Sequence, residues 1–216
     1  VAGEGRTVLF VSHNMAAVRT LCGRSIWLDG GRVMEDDSAE KVISLYLSGG
    51  ATQQLRQSWA LENAPGNDIV RILHAEVRPH RNGPLKIGDP FDLVFTVAKL
   101  TNTIYRLDVT FHLVDEMGTL VFVGSTGIDD TDIRADAGLY TYVCHIPAHL
   151  MHEGRYSITR FLVLRDRGCC LYEHHDLLHF SIENPGQSHF GWMGRTGRKE
   201  GVVRPRLTWH VERSGL

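Results

Sequence analysis

No apolar run in this 216-residue chain approaches the roughly 18 residues that a membrane-spanning helix needs. An excess of basic charge is also missing. The 23 Lys and Arg stand against 25 Asp and Glu, for a formal net charge of −2, which argues against a nucleic-acid-binding platform. No basic segment followed by an apolar one opens the sequence, so no secretory signal is expected. The four cysteines, Cys22, Cys144, Cys169 and Cys170, show no C-x-x-C spacing, and reduced thiols are the expectation. A G-x-x-x-x-G-K-[ST] phosphate loop is absent, as are internal repeats and low-complexity tracts. What is present is a globular composition, 43% apolar and 22% charged. The length suits one large domain, or a fragment followed by a domain of about 150 residues.

Two periodicities divide the chain. Residues 8–12, a run of apolar β-formers, read as a strand, and 14–22 as a helix. Residues 25–29 and 32–35 read as a hairpin turning on Gly30-Gly31, a pair suited to positive φ. Asp37 and Glu40 have capping-box spacing before a helix that reaches about Leu47. Residues 49–68, closing on Pro65-Gly66-Asn67-Asp68, have no sustained period and read as a linker. From Ile69 the period becomes two. Strands are predicted at 69–78, 91–99, 105–115, 119–125, 139–146, 155–165, 171–182 and 204–212. Short strands without a long intervening helix predict a mainly β chain: an antiparallel β-sandwich of immunoglobulin-like or jelly-roll type over 69–216, preceded by a small α/β piece over 1–48.

The α/β piece carries a resemblance. Thr7-Val8-Leu9-Phe10-Val11-Ser12-His13-Asn14, the Ser25–Val33 hairpin and Val42-Ile43-Ser44-Leu45-Tyr46 resemble the last part of an ABC-transporter ATPase domain. The resemblance places His13 at the switch-histidine position, which contacts the terminal phosphate and helps position the attacking water. With no phosphate loop and no preceding acidic pair, one histidine cannot hold a polyphosphate. The chain is therefore expected to be no enzyme and to need no cofactor, with ATP and magnesium belonging only to a full-length parent.

With a β-sandwich following such a tail, nearly the whole chain is similar to the ATPase subunit of Gram-negative O-antigen exporters, whose C-terminal extension binds carbohydrate. The extension is matched by Ile69-Val70-Arg71-Ile72, Gly88-Asp89-Pro90-Phe91, Gly154-Arg155-Tyr156-Ser157-Ile158, Phe180-Ser181-Ile182, and Gly201-Val202-Val203 with Trp209. One departure is Asp36-Asp37, where a glycine is usual. The resemblance implies recognition of the non-reducing end of an O-polysaccharide, coupling chain completion to export. It implies a transmembrane partner reached through the parent ATPase, a homodimer, and a place at the cytoplasmic face of the inner membrane.

Sugar recognition calls for aromatic faces and planar hydrogen-bonding groups. Strand alternation puts Arg106, Asp108, Thr110 and His112 in one polar row, about 6.8 Å apart in succession. This row is expected to face solvent, with Tyr142 and Arg160 beside it and Tyr140 in a neighbouring row. Trp192, in the glycine-rich loop 186–201 with Phe190, is expected to close over it. A polar row on a solvated sheet face also occurs with no ligand at all. Among the 12 histidines, His149 and His152 stand at i, i+3, and His174, His175 and His179 cluster, but strand alternation splits the cluster and no third ligand is evident. No metal site is expected. The rival reading is a structural or docking module that dimerises the ATPase or recruits glycan-assembly enzymes.

Overall fold

The computed structural model of the chain describes residues 7–12, 15–48, 53–128, 134–184 and 202–203. In chain order the elements are α1 (Met15–Leu21), β1 (Arg24–Asp29), β2 (Arg32–Ser38), α2 (Ala39–Ser48), β3 (Arg56–Ser58), β4 (Val70–Pro79), β5 (Phe91–Lys99), β6 (Tyr105–Asp115), β7 (Leu120–Ser125), β8 (Arg134–Ala135), β9 (Gly138–Ile146), β10 (Gly154–Arg165) and β11 (Cys169–Ile182). The period-two segments from 69 to 182 all became strands. The one expected at 204–212 lies outside the described residues.

Two antiparallel sheets form the sandwich. One has the order β3-β4-β5-β9, the other β11-β10-β6-β7 with β8 pairing onto β6. Alternation explains how they face each other. Leu107, Val109, Phe111 and Leu113 on β6 are buried, and so are Leu93, Phe95 and Val97 on β5. The Phe95 ring lies 4.7 Å from Phe161 and 5.7 Å from Phe111, and Phe91 lies 5.5 Å from Phe180, centroid to centroid. Each ring crosses from one sheet to the other. Fully burying one such side chain contributes about 1.5–3 kcal/mol, so these contacts hold the layers together.

The segment expected to link the two parts runs along the sandwich. Gln54 pairs with His179, β3 adds to the edge of β4, and the Trp59 amide donates to the Leu73 carbonyl at 2.9 Å. The Asn67 carboxamide oxygen accepts the amides of Ile69 and Val70 at 2.9 and 3.0 Å, which sets the entry into β4.

The N-terminal piece has a small core of Met15, Val18, Ala39 and Ile43. Gly30 and Gly31 adopt φ of 53° and 77° at the β1–β2 turn, as the hairpin requires. Asp37 does not act as expected at the helix start: it accepts the Ser38 amide and the Lys41 ammonium, and α2 begins at Ala39. Residues 7–12 form no strand, which corrects the expectation for 8–12. A strand needs a neighbour for its backbone groups. Among the described residues no strand pairs with this segment, and Leu9 and Val11 are 90% and 97% exposed.

Candidate functional site

The face of the β11-β10-β6-β7 sheet turned away from the core carries a row of polar side chains. Register fixes who stands beside whom. Arg160 on β10 is opposite His112 on β6 and His175 on β11, and Leu162 is opposite Thr110 and Glu173. Arg160 and Glu173 form a two-pronged ion pair, 2.5 and 3.0 Å, across β10 and β11. His175 Nε2 lies 3.3 Å from the same Glu173 carboxylate. The Arg160 guanidinium holds the Glu173 carboxyl below its ordinary value, against a smaller opposing effect of burial. Burial first, then the Arg160 charge, lower the His112 imidazole. Thr110 and Ser125 hydroxyls meet at 2.7 Å. His112 and Arg160 are thus brought together as expected, with Thr110 in the adjacent row.

The other half of the expected row is not at the surface. Asp108 is 1% exposed and Arg106 9%. The Arg106 Nε donates to both Asp108 oxygens at 2.8 and 3.0 Å, and its Nη2 donates to the Thr126 carbonyl at 2.8 Å. The Asp108 carboxylate also accepts the Thr126 hydroxyl and the Arg167 amide, both at 3.3 Å. The segment after β7 and the β10–β11 turn cover this end of β6, so strand alternation alone misjudged the exposure. The pair organises the turn instead. Asp166 and Arg167 sit at φ of 50° and 65°, a region that non-glycine residues rarely adopt. They are held there by bonds to the Arg106 amide and the Asp108 carboxylate.

Tyr142 is not beside the row either. It lies on β9, in the opposite sheet, packed against the core, and its hydroxyl donates to the Leu107 carbonyl at 3.0 Å. The Tyr140 hydroxyl donates to the Asp136 carbonyl at 2.9 Å. His13, Phe190, Trp192 and the glycine-rich loop lie outside the described residues.

A cleft of about 260 Å³ opens on the same outer face, next to Arg160 in sequence and space. Ser157, Thr159, Asp176, His179 and Ser181 form its floor, Gln53 borders it, and Met15 and Tyr46 of the N-terminal piece wall it. A guanidinium of Arg155 donates to the Tyr46 carbonyl at 3.2 Å and fixes that wall. Two register slips shape the floor. Thr159 stands where β10 shifts against both neighbours, and Asp176 on β11 has φ of 54°. Bulges of this kind re-aim side chains and recur near binding sites. Ser157 Oγ and His179 Nδ1 are 2.9 Å apart. Sequence reasoning missed Thr159, Glu173 and Asp176, because their importance depends on which strand lies beside β10. The cleft offers carboxylate, hydroxyl, imidazole and carboxamide groups with an aromatic wall, which suits a small polyhydroxylated ligand.

No protein-family model matches the chain. Over 43 residues it is 52% identical to the O-antigen export system ATP-binding protein RfbB of Klebsiella pneumoniae, and over 83 residues 40% identical to the teichoic acids export ATP-binding protein TagH of Listeria innocua. The relatives of this chain are export ATP-binding proteins. The matches cover 20% and 38% of the chain and 18% and 22% of those relatives, so the chain spans about a fifth of their length. A solved structure, the crystal structure of the C-terminal domain of wzt, resembles it with a TM-score of 0.49 and 11% identity, over 78% of this chain and 95% of that one. Among the described residues no helix is long and apolar enough to cross a membrane.

Proposed function

We propose that this chain is a non-catalytic glycan-recognition module of a polysaccharide exporter, reading the non-reducing end of an O-polysaccharide. The observation that carries the reading is the polar cleft beside the Arg160–Glu173 pair. One terminal sugar would enter the cleft between Asp176, Thr159 and Tyr46, and the next would lie over Arg160 and His112. A two-pronged ion pair fixes the orientation of the planar guanidinium, so a hydroxyl meets a donor already in position. The relatives' role in O-antigen and teichoic acid export supports the choice of polymer. In this reading the module sits at the cytoplasmic face of the inner membrane of a Gram-negative bacterium, and the parent ATPase connects it to a transmembrane subunit. Two copies in a homodimer would raise avidity by effective concentration.

Saturation-transfer NMR with the O-polysaccharide tests this. Sugar-proton signals should appear with the native protein and fall away with Arg160→Ala and with Asp176→Asn. Signals of undiminished strength in both variants, or none with any terminal fragment, would sink it.

A docking role has one observation in its favour. Leu9, Val11, Ile26, Leu28, Val33 and Met34 of the N-terminal piece are all half or more exposed, an apolar surface suited to a protein neighbour. Pull-down of a glycan polymerase by a protein that shows no sugar signals would favour that reading.

A further inference from the structure

The other outer face of the sandwich, that of the β3-β4-β5-β9 sheet, brings together three residues that are distant in sequence. His80 follows the end of β4, Asp92 is the second residue of β5, and His145 is near the end of β9. Asp92 is paired in register with His145 on one side and with Arg78 on the other. His80 Nε2 lies 3.0 Å from one Asp92 oxygen and His145 Nδ1 lies 3.1 Å from the other. The two imidazoles stack, with centroids 5.3 Å apart and planes at 29°. One ligand atom from each residue falls within 4.8 Å of the others.

We propose that His80, Asp92 and His145 form a binding site for a divalent transition metal of the zinc class. The donor set is the first argument. Two imidazole nitrogens and one carboxylate oxygen suit zinc and its neighbours, while calcium and magnesium prefer oxygen alone. Distance is the second. Metal–ligand bonds of about 2.0–2.2 Å put neighbouring ligands of a tetrahedral zinc about 3.4 Å apart, and the imidazole–carboxylate separations need only a small opening to reach that. Positioning is the third. Asp92 and His145 are fixed by the β5–β9 ladder, and the His80 amide donates to the Pro90 carbonyl at 3.4 Å, so little ordering remains when a metal enters. Three protein ligands leave a fourth position open toward solvent, since the His145 side chain is 57% exposed. A water molecule or a donor from another molecule would fill it. The site is on the opposite side of the sandwich from the glycan cleft and does not depend on that reading.

Zinc(II) alone, titrated calorimetrically into the metal-free chain, tests the site, with cobalt(II) in parallel to report coordination through its visible bands. One equivalent should bind. His145→Ala and Asp92→Asn should each weaken binding by more than the roughly 10–100-fold typical of an outer-shell change. A Cys169→Ser, Cys170→Ser variant should bind as the native chain does. In the unsubstituted protein, cobalt(II) should shift the ring protons of His80 and His145 ahead of those of the other histidines, a readout that needs no variant to fold. Absence of saturable binding overturns the proposal. So does affinity that survives both substitutions, dependence on the paired cysteines, or shifts centred on His174, His175 and His179.

Discussion

The Tyr142 hydroxyl on β9 donates to the Leu107 carbonyl on β6 at 3.0 Å, tying the edge strand of one sheet to an inner strand of the other. Burial, the largest influence, raises the phenol well above its ordinary value, so it is a neutral donor throughout the working range of pH. Tyr142→Phe should lower stability by about 1 kcal/mol, the usual net worth of one hydrogen bond. Denaturant unfolding measures this. Glycan signals should be unchanged; their loss with full stability would return Tyr142 to the ligand site.

Asp108 and Arg106 give a larger effect. Their side chains are 2% and 10% exposed. Asp108→Ala removes a buried carboxylate that accepts from Arg106, Thr126 and Arg167, and breaking a buried ion pair typically costs about 3–5 kcal/mol. It also releases the Arg167 amide that steadies the β10–β11 turn. A double variant, Arg106→Met with Asp108→Leu, should recover much of the loss. A loss under 1 kcal/mol in the single variant would mean that water reaches the pair.

Stability should fall as the medium is acidified from neutral. Burial is the main reason that His112 and His174 titrate below their ordinary value, with Arg160 and His175 respectively adding to it. Below the unfolded value of about 6.5 the unfolded chain binds more protons than the folded one, so stability drops as pH falls through the folded values. Glu173, lowered by Arg160, adds a slope of the same sign in a separate window below about pH 4.3. Unfolding midpoints between pH 7.5 and 5.5 should decline, and less steeply in His112→Asn and His174→Asn. Parallel curves for native protein and both variants would count against this account.

Gly124 marks a tight approach of the edge strand β7 to the core. A Cβ there would come within 2.3 Å of two ring atoms of Phe111, which is buried against Phe95. Gly124→Ala should cost about 1–3 kcal/mol by overpacking. Melting temperature is the measurement, and a native value would show that the ring moves aside at no cost.

Local pattern determined much of this protein. Alternation from Ile69 onward specified the strands up to β11 except the two-residue β8, and the inward row Leu107, Val109, Phe111 and Leu113, because a strand with one apolar face can bury it in only one way. The Gly30-Gly31 turn and the second helix were equally legible. Alternation also put Arg106 and Asp108 on the face away from the core, and there it stopped. It gives the side of the sheet but not what lies over it, and the residues after β7 and the turn after β10 cover that end of β6. Run composition failed at Val8–Val11, since an apolar run becomes a strand only beside a partner. Pairing decided the rest. The Arg160–Glu173 bond, the cleft around Asp176 and the meeting of His80, Asp92 and His145 all join residues on different strands, and only the register of those strands brings their charges within reach.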